Sequence, residues 1–156
     1  MIEPADGGRL LRLLEKALAN PARYMEMTFC APFVDEVILP RLVQTAVAAK
    51  KHSCGFCVIT SRDAAEALKK TLPGPAVHWR DSVVVRNRLH AKAYLLEGRN
   101  PLSTEAMITS ANLTQGGTGG NIELGVEARA SSRSGQLLIG IVRDFLRNTI
   151  RSNRSF

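Results

Sequence analysis

Hydrophobic positions along this chain follow a helical period in some stretches and a strand period in others. Helical spacing appears in three segments, namely GGRLLRLLEKALAN near the N-terminus, SRDAAEALKKTL with Ser61 as its cap, and SGQLLIGIVRDFLRNTI capped by Ser132 or Ser134. The segment from Asp35 to about Lys51 is also predicted to be helical, with a distortion or restart near Pro40. Pro73-Gly74 and Asn20-Pro21 mark the ends of two of these helices.

Shorter runs rich in branched and aromatic residues predict strands between and after the helices. They are RYMEMTFCAPF, CGFCVIT, AVHWRDSVVV, the segment around His90, AMITS and NIELGVEA. Strand–helix alternation, then a run of strands and a closing helix, predicts an α/β sandwich with a mixed β-sheet flanked by helices. With 156 residues and no internal repeat, we expect residues 1–156 to form a single domain.

Composition and charge limit the class of protein, the cellular compartment and the partners that we expect. Hydrophobic residues make up 45% of the chain, enough for a globular core, and no apolar run approaches the ~18 residues of a membrane span. The N-terminus does not have the pattern of a secretory signal, so we expect a reducing cytoplasmic setting. The net charge of +7 suits a polyanion, but it suits an anionic membrane surface equally well.

Two further patterns each admit two interpretations. His52-x-Cys54-x-x-Cys57, with Cys30, could supply metal ligands, but CGFCVIT reads as a buried strand and favours core cysteines. The C-terminal segment places arginines on one helix face, which is either a solvated face or a surface for phosphates: Arg143, Arg147, Arg151 and Arg154.

The segment RLHAKAYLLE carries the first candidate chemistry. In a strand, alternate side chains share a face, so His90, Lys92 and Tyr94 would project together. The small and apolar residues between them would enter the core: Leu89, Ala91, Ala93 and Leu95. His78 and Trp79, by contrast, are interpreted as core and rim residues.

Polar groups follow on the next segments. The loop SANLTQGGTGG offers hydroxyls, an amide and glycines, and the glycine pairs serve either backbone approach to phosphate or a turn. NIELGVEA then places Glu123 on one side of a predicted strand. A nucleophile, a cation, polar donors and a carboxylate are the parts that a phosphoryl-transfer site needs.

These residues carry a resemblance to a known family. His90-Ala-Lys92, Ser110-Ala-Asn112-Leu-Thr114 and Asn121-Ile-Glu123-Leu-Gly125 together resemble the active-site block of the phospholipase D superfamily, and most of all its single-motif bacterial endonucleases. The resemblance implies a phospholipase D-like α/β/α sandwich. Two positions depart from the family pattern: Glu97 replaces an Asp, and Thr109 replaces a Gly.

The resemblance also implies roles. His90 would attack phosphorus and form a phosphohistidine, and a second His would protonate the leaving oxygen. Because the His-Lys motif occurs once, an isologous homodimer would bring two copies of His90 to one site. Lys92 and Asn112 would hold phosphoryl oxygens, and Glu123 would accept a hydrogen bond from the His90 ring. Ser110, Thr114 and Arg88 are the expected substrate-binding residues, and neither metal nor cofactor is required.

The expected function is a metal-independent nuclease, with DNA favoured over RNA as the partner. A helicase or a restriction system is a compatible further partner. Two alternatives stay open at this point. One is a phospholipid phosphodiesterase or phosphatidyltransferase, and the other is a non-catalytic nucleic-acid-binding module of the same fold.

Overall fold

The structure, a computed structural model, describes residues 1–71 and 82–152. Its strands are β1 (Ile2–Ala5), β2 (Tyr24–Cys30), β3 (Gly55–Thr60), β4 (Val83–Val85), β5 (Ala93–Gly98), β6 (Glu105–Thr109) and β7 (Gly125–Arg129). Its helices are α1 (Gly7–Ala19), α2 (Leu39–Lys51), α3 (Arg62–Thr71) and α4 (Arg133–Arg151).

The strands form one mixed sheet in the order β1-β7-β6-β5-β2-β3-β4. Strands β2, β3 and β4 are parallel neighbours, and α2 and α3 provide the crossovers between them. The pairs β1–β7, β7–β6, β6–β5 and β5–β2 are antiparallel. The sheet is therefore half parallel crossover and half meander, which is the mixed type that the sequence predicts.

Helices cover both faces of the sheet. The larger apolar core joins α1, α2 and α3 to one face, through residues that include Leu10, Leu14, Leu42, Leu68, Phe29 and Tyr94. The smaller core joins α4 to the other face, through Ile139, Val142, Leu146, Ala93, Leu95, Ala106 and Ala128. The predicted α/β/α sandwich is confirmed.

The helix predictions hold, with adjusted boundaries. Helix α2 begins at Leu39, and Pro40 sits in its first turn, where a missing N–H breaks no helical hydrogen bond. The turn before it is held by Asp35, whose carboxylate accepts from the N–H of Val37 (3.2 Å) and Ile38 (3.0 Å). Ser132, not Ser134, caps α4 by accepting from the Gly135 N–H at 3.1 Å.

One strand escaped prediction, and one face of β5 is buried where the sequence places it outside the core. Strand β1 is short and contains Pro4, so MIEPA lacks a strand pattern, yet it pairs with β7 at the sheet edge. Tyr94 lies on the side opposite Leu89, Ala91, Ala93 and Leu95, as expected for the face of His90 and Lys92, but it is fully buried in the larger core. A strand with helices on both faces buries both of its faces, so alternation along β5 separates two cores rather than core from solvent.

The strands near the candidate motifs are also shorter than expected. Strand β5 begins at Ala93 and β7 begins at Gly125, so His90, Lys92 and Glu123 lie in the segments that lead into these strands. Of AVHWRDSVVV, Val83–Val85 forms a strand, whereas His78, Trp79 and Arg80 lie outside the described residues, as do Pro73-Gly74 and Arg154.

The cysteines belong to the core, as expected. Cys30 and Cys54 are buried and Cys57 is partly buried. Burial raises the pKa of the Cys30 thiol to about 12 and that of Cys54 to about 11, so both stay protonated at neutral pH. Within residues 1–71 and 82–152, no helix is long and apolar enough to cross a membrane.

Candidate functional site

The segments that carry the motifs meet at one end of the sheet, which we call the site end. Here β2 and β6 finish at Cys30 and Thr109, and β5 and β7 begin at Ala93 and Gly125. The register pairs Cys30 with Ala93, and Thr109 with Gly125. Because β5 pairs antiparallel with β2 and with β6, the segment before β5 lies beside the loops that follow β2 and β6. Because β7 pairs antiparallel with β6, the segment before β7 lies there too.

The His90 segment approaches this end in extended form. His90 is exposed and Lys92 is half-buried. The Lys92 carbonyl accepts the Thr109 N–H at 3.2 Å, so the ladder with β6 continues one residue beyond β5. Leu89 and Ala91 pack against the smaller core, so the alternate side chains of His90 and Lys92 project away from it.

Arg88 precedes this segment in a tight turn. It is exposed, and its φ of 60° lies in the left-handed region that non-glycine residues rarely adopt. The turn redirects the chain just before His90, so the Arg88 side chain lies two residues from the candidate nucleophile.

Strand β6 ends with Thr109, one of the two departures from the family pattern. Its hydroxyl accepts the Ala111 N–H at 3.1 Å and donates to the Leu124 carbonyl at 3.2 Å. Across the ladder, a Cβ on Gly125 would lie only 2.6 Å from the Cβ of Thr109. Gly125 thus leaves space for a side chain at position 109, and that side chain ties the Ser110 loop to the segment before β7.

Ser110 and Glu123 meet across the same gap. The Ser110 N–H donates to the Leu124 carbonyl at 2.9 Å, and the Leu124 N–H donates to the Ser110 hydroxyl at 3.0 Å. The Ser110 hydroxyl in turn donates to the Glu123 carboxylate. Glu123 therefore accepts its hydrogen bond from Ser110 here, whereas the resemblance implies one from the His90 ring.

Asn112 contributes the most unusual polar atom of the site end. Its Oδ1 is buried and has no hydrogen-bond partner among the described residues. Buried side-chain acceptors are nearly always paired in folded proteins, and exceptions cluster where a ligand or water completes the set. Gly117 packs directly on the Asn112 backbone, since a Cβ there would collide with the Asn112 carbonyl oxygen.

The loop is also held from the β2 side by residues that the sequence analysis did not select. The Asp35 N–H donates to the Leu113 carbonyl (3.1 Å), and the Leu113 N–H donates to the Phe33 carbonyl (3.2 Å). The Asp35 carboxylate accepts the Gln115 N–H at 2.6 Å. An Asp placed after a strand and before a Pro-containing helix could have been recognised as a cap, but its link to Gln115 is long-range and leaves no local signal.

The glycine turn resolves one open alternative. Residues Gly116–Gly120 form a tight turn that packs on the start of α1, where a Cβ on Gly7 would collide with the Gly117 carbonyl. Thr114 begins the turn, because its hydroxyl accepts the Gly117 N–H at 3.0 Å. These contacts favour the turn over backbone approach to phosphate.

Away from the site end, the C-terminal arginines are not simply a solvated face. Arg143 and Arg147 reach the buried carboxylate of Glu97 at 2.5 Å and 3.5 Å. Glu26 lies opposite Glu97 in the register, and burial, followed by the charge of Glu97, raises the Glu26 pKa. Glu97, the second departure from the family pattern, therefore anchors α4 to the sheet.

The structure places every predicted site residue at the site end. His90 and Lys92 precede β5, Ser110, Asn112 and Thr114 follow β6, Glu123 precedes β7, and Arg88 occupies the turn before His90. The sequence analysis did not anticipate that Thr109, Asp35 and Tyr94 each hold the loop after β6 through a hydrogen bond.

Comparison of the fold with solved structures gives clear similarities. The phospholipase D family member Nuc from Salmonella typhimurium superposes with a TM-score of 0.53 at 15% identity, over 92% of this chain and 91% of Nuc. NucT from Helicobacter pylori gives 0.55 at 8% identity, over 94% of this chain and 96% of NucT. The chain has the phospholipase D fold.

The same fold occurs within larger proteins. TrmBL2, an archaeal chromatin protein described as showing a novel mode of DNA binding, matches with a TM-score of 0.58 at 10% identity, over 94% of this chain and 52% of TrmBL2. The sequence itself matches no protein-family model and no curated protein. The phospholipase D likeness therefore rests on the fold and on the motif residues.

Proposed function

We propose that this chain is a single phospholipase D-like domain that cleaves phosphodiester bonds of nucleic acid without a metal ion, as a homodimer. The observation that carries the proposal is the gathering of His90, Lys92, Ser110, Asn112 and Glu123 at one end of a sheet with the phospholipase D fold. Spread over residues 90 to 123, these side chains have no local reason to converge.

The chemistry follows from the residue types. A neutral imidazole nitrogen of His90 would form a bond to phosphorus while the bond to the leaving oxygen breaks. His90 is exposed, so a backbone phosphate can reach it. The departing oxygen takes a proton from a second imidazole, which then removes a proton from the water that releases the phosphohistidine. Lys92 and the Asn112 amide would stabilise the charge on the non-bridging oxygens.

Glu123 and Ser110 act as a pair in this proposal. The carboxylate accepts a hydrogen bond from the Ser110 hydroxyl, which fixes the hydroxyl and the carboxylate just before β7. A fixed hydroxyl and a fixed carboxylate can orient an imidazole brought in from a second chain, because their own geometry costs nothing further to arrange.

The second imidazole would come from a second copy of the chain. Ile122 and Leu124 flank Glu123 and are 105% and 79% exposed, and Ile108 and Val126 lie as exposed cross-strand partners beside them. Fully exposed apolar residues beside a polar site are typical of an interface. Because each copy carries a net charge of +7, apolar burial must overcome repulsion for two copies to associate.

The proposed substrate is nucleic acid, with DNA favoured over RNA. The positive net charge attracts phosphates, which carry little sequence information, so we expect weak sequence preference. We place the enzyme in the cytoplasm, where a helicase or restriction-system partner could deliver the substrate.

The fold of TrmBL2, a DNA-binding chromatin protein, favours a second candidate, namely a non-catalytic nucleic-acid-binding module. Such a module would bind DNA with a steep salt dependence and cleave nothing. A phospholipid phosphodiesterase or phosphatidyltransferase is the remaining alternative, and it would prefer vesicles to oligonucleotides.

The deciding experiment measures cleavage of labelled single- and double-stranded DNA and RNA in excess EDTA. We expect cleavage by the wild type, its loss in His90→Ala, and its retention in His52→Ala, a matched change at an exposed histidine that follows α2. Binding without cleavage of any of the four substrates would select the binding module, and cleavage of phospholipid vesicles alone would select the lipid enzyme.

A separate experiment tests whether the two copies of the chain share one active site. If both copies of His90 serve one site, co-purified wild type and His90→Ala at equal amounts should show about one quarter of the wild-type activity, whereas independent sites would leave about one half. Leu124→Asp should abolish dimers and cleavage together. Leu102→Asp, at a residue 64% exposed at the opposite end of β5 and β6, is the control and should leave both intact.

A further inference from the structure

Tyr94 connects the two segments of the candidate site, the His-Lys segment and the Ser-Asn loop, from inside the larger core. It lies in β5 two residues after Lys92 and is fully buried. Its hydroxyl donates to the carbonyl oxygen of Ala111 at 2.7 Å. Ala111 stands between Ser110 and Asn112, so this hydrogen bond links the strand of the His-Lys motif to the loop of the Ser-Asn motif.

The bonded carbonyl belongs to the peptide unit that Asn112 shares. The C=O of Ala111 and the N–H of Asn112 lie in one rigid plane and point in opposite directions. Fixing the oxygen therefore fixes the direction of the Asn112 N–H and the start of the Asn112 side chain. The distance between Asn112 and Lys92 then depends on a side chain of β5, the strand that directly follows Lys92.

The other contacts of the loop hold different peptide units. Thr109 accepts the Ala111 N–H, which belongs to the preceding unit, and Asp35 holds the Leu113 carbonyl and the Gln115 N–H further on. Among the described residues, Tyr94 supplies the hydrogen bond to the unit between Ala111 and Asn112. Without it, that unit could rotate between its two anchored neighbours.

We propose that Tyr94 is a positioning residue, which sets the Ala111–Asn112 peptide unit and with it the placement of Asn112 against Lys92. Its consequence for catalysis rests on the proposed function, whereas its consequence for loop order does not. Burial, followed by the nearby Cys30 and Glu123, holds the pKa of the Tyr94 phenol well above its usual range. The hydroxyl thus remains a donor at neutral pH.

The sheet offers a matched control in Tyr24. It too is fully buried in the larger core, but it lies at the opposite end of the sheet from the site, and its hydroxyl has no hydrogen-bond partner among the described residues. Tyr94→Phe and Tyr24→Phe each remove one buried hydroxyl from the same sheet. A difference in behaviour between the two variants therefore measures the loss of the hydrogen bond and not the loss of the oxygen atom.

The first measurement is amide hydrogen exchange followed by NMR. Loss of one hydrogen bond should speed exchange of the hydrogen-bonded Ala111 and Leu113 amides about fivefold in Tyr94→Phe, with no change there in Tyr24→Phe. Unchanged exchange in Tyr94→Phe, or an equal rise in both variants, would overturn the proposal. This result does not depend on whether the protein is a nuclease.

The second measurement separates positioning from packing by steady-state kinetics on the best oligonucleotide substrate. We expect kcat of Tyr94→Phe to fall about tenfold with KM within twofold of the wild type, because the change acts on Asn112 in the transition state and leaves phosphate attraction intact. Tyr24→Phe should keep both constants. Faster exchange with unchanged kcat would overturn the positioning role, while a wild type that cleaves nothing would overturn the proposed function and leave the exchange result to decide on Tyr94.

Discussion

The body of the sheet and its site end treat their carboxylates in different ways. The three most buried carboxylates of the strands each meet a cation from a helix: Glu97 with Arg143 at 2.5 Å, Glu105 with Lys16 at 2.6 Å, and Glu127 with Arg9 at 2.8 Å. At the site end, Glu123 meets a serine hydroxyl, and the Oδ1 of Asn112 meets no partner among the described residues.

The contrast shows where buried charges are paired within the chain and where polar groups lack a charged partner. Burial of an unpaired charge is costly, so the ion pairs of the strands are needed for α1 and α4 to dock on polar strand positions. Buried polar groups without a partner are rare, and a functional site is one of the places where they occur. The site end has the second property, which is why the proposed function is assigned there and not to the larger clusters of charge.

The substitution expected to have the largest effect on stability is Glu97→Gln. It removes the carboxylate that anchors α4 and leaves Arg143 and Arg147 without their partner. Because these arginine side chains are 31% and 48% exposed, water recovers part of the loss, and we expect the free energy of unfolding to fall by about 2 kcal/mol. Urea unfolding measures this. Arg147→Ala, which removes the longer contact, should cost less, and cleavage per folded molecule should be unchanged in both variants.

The converse change is Glu123→Gln. It removes the charge at the site end but keeps the side-chain shape and an acceptor for Ser110. We expect kcat to fall about tenfold, with the free energy of unfolding within about 0.5 kcal/mol of the wild type. A Glu123→Gln protein that is as active as the wild type but markedly less stable would place Glu123 with the structural carboxylates and remove the contrast.

The sequence predicted the fold well where local pattern decides it. The four helices and the strands in the middle of the sheet follow from periodicity, and the motif residues do lie together at one end. The burial of Tyr94 was not predicted because period-two alternation cannot tell solvent from a second core. From the sequence, Glu97 is only a departure from the family's Asp, because the arginines that bind it come from α4, about fifty residues further along the chain.

The pH dependence of stability separates two carboxylates of the strands. Burial and Glu97 raise the pKa of Glu26, so its contribution to stability is full below the unfolded pKa and is lost as pH rises through the folded pKa. For Glu127, burial would raise the pKa, but Arg9 and Arg129 outweigh it and lower the pKa. Its contribution is present above the unfolded pKa and is lost as pH falls through the folded pKa.

Substitution by Gln should therefore act with opposite sign at the two positions. Near pH 7, Glu26→Gln should be more stable than the wild type, and Glu127→Gln less stable. The Glu26→Gln difference should shrink as pH falls toward the ordinary value of 4.5, because the folded pKa lies above that value. The Glu127→Gln difference should shrink only as pH falls below 4.5. Urea unfolding at a series of pH values checks this, and the same sign in both variants would contradict the assignment of these pKa directions.

The smallest effect concerns two residues that hold the same strained backbone at opposite ends of the sheet. Arg88, at the site end, has φ of 60°, and Ser53, between α2 and β3, has φ of 52°. The left-handed region costs an L-residue about 1 kcal/mol, which glycine avoids, although glycine also gains freedom in the unfolded chain. We expect Arg88→Gly and Ser53→Gly each to raise the free energy of unfolding by about 0.5 kcal/mol.

DNA binding should then separate the two variants. Arg88→Gly removes a cation two residues from His90, so the affinity should fall and the slope of log affinity against log salt should become shallower by about one. Ser53→Gly should bind as the wild type does, because it removes no charge and lies away from the site end. If both glycine variants bind DNA alike, Arg88 makes no phosphate contact, and its strained turn serves only to aim the segment that carries His90.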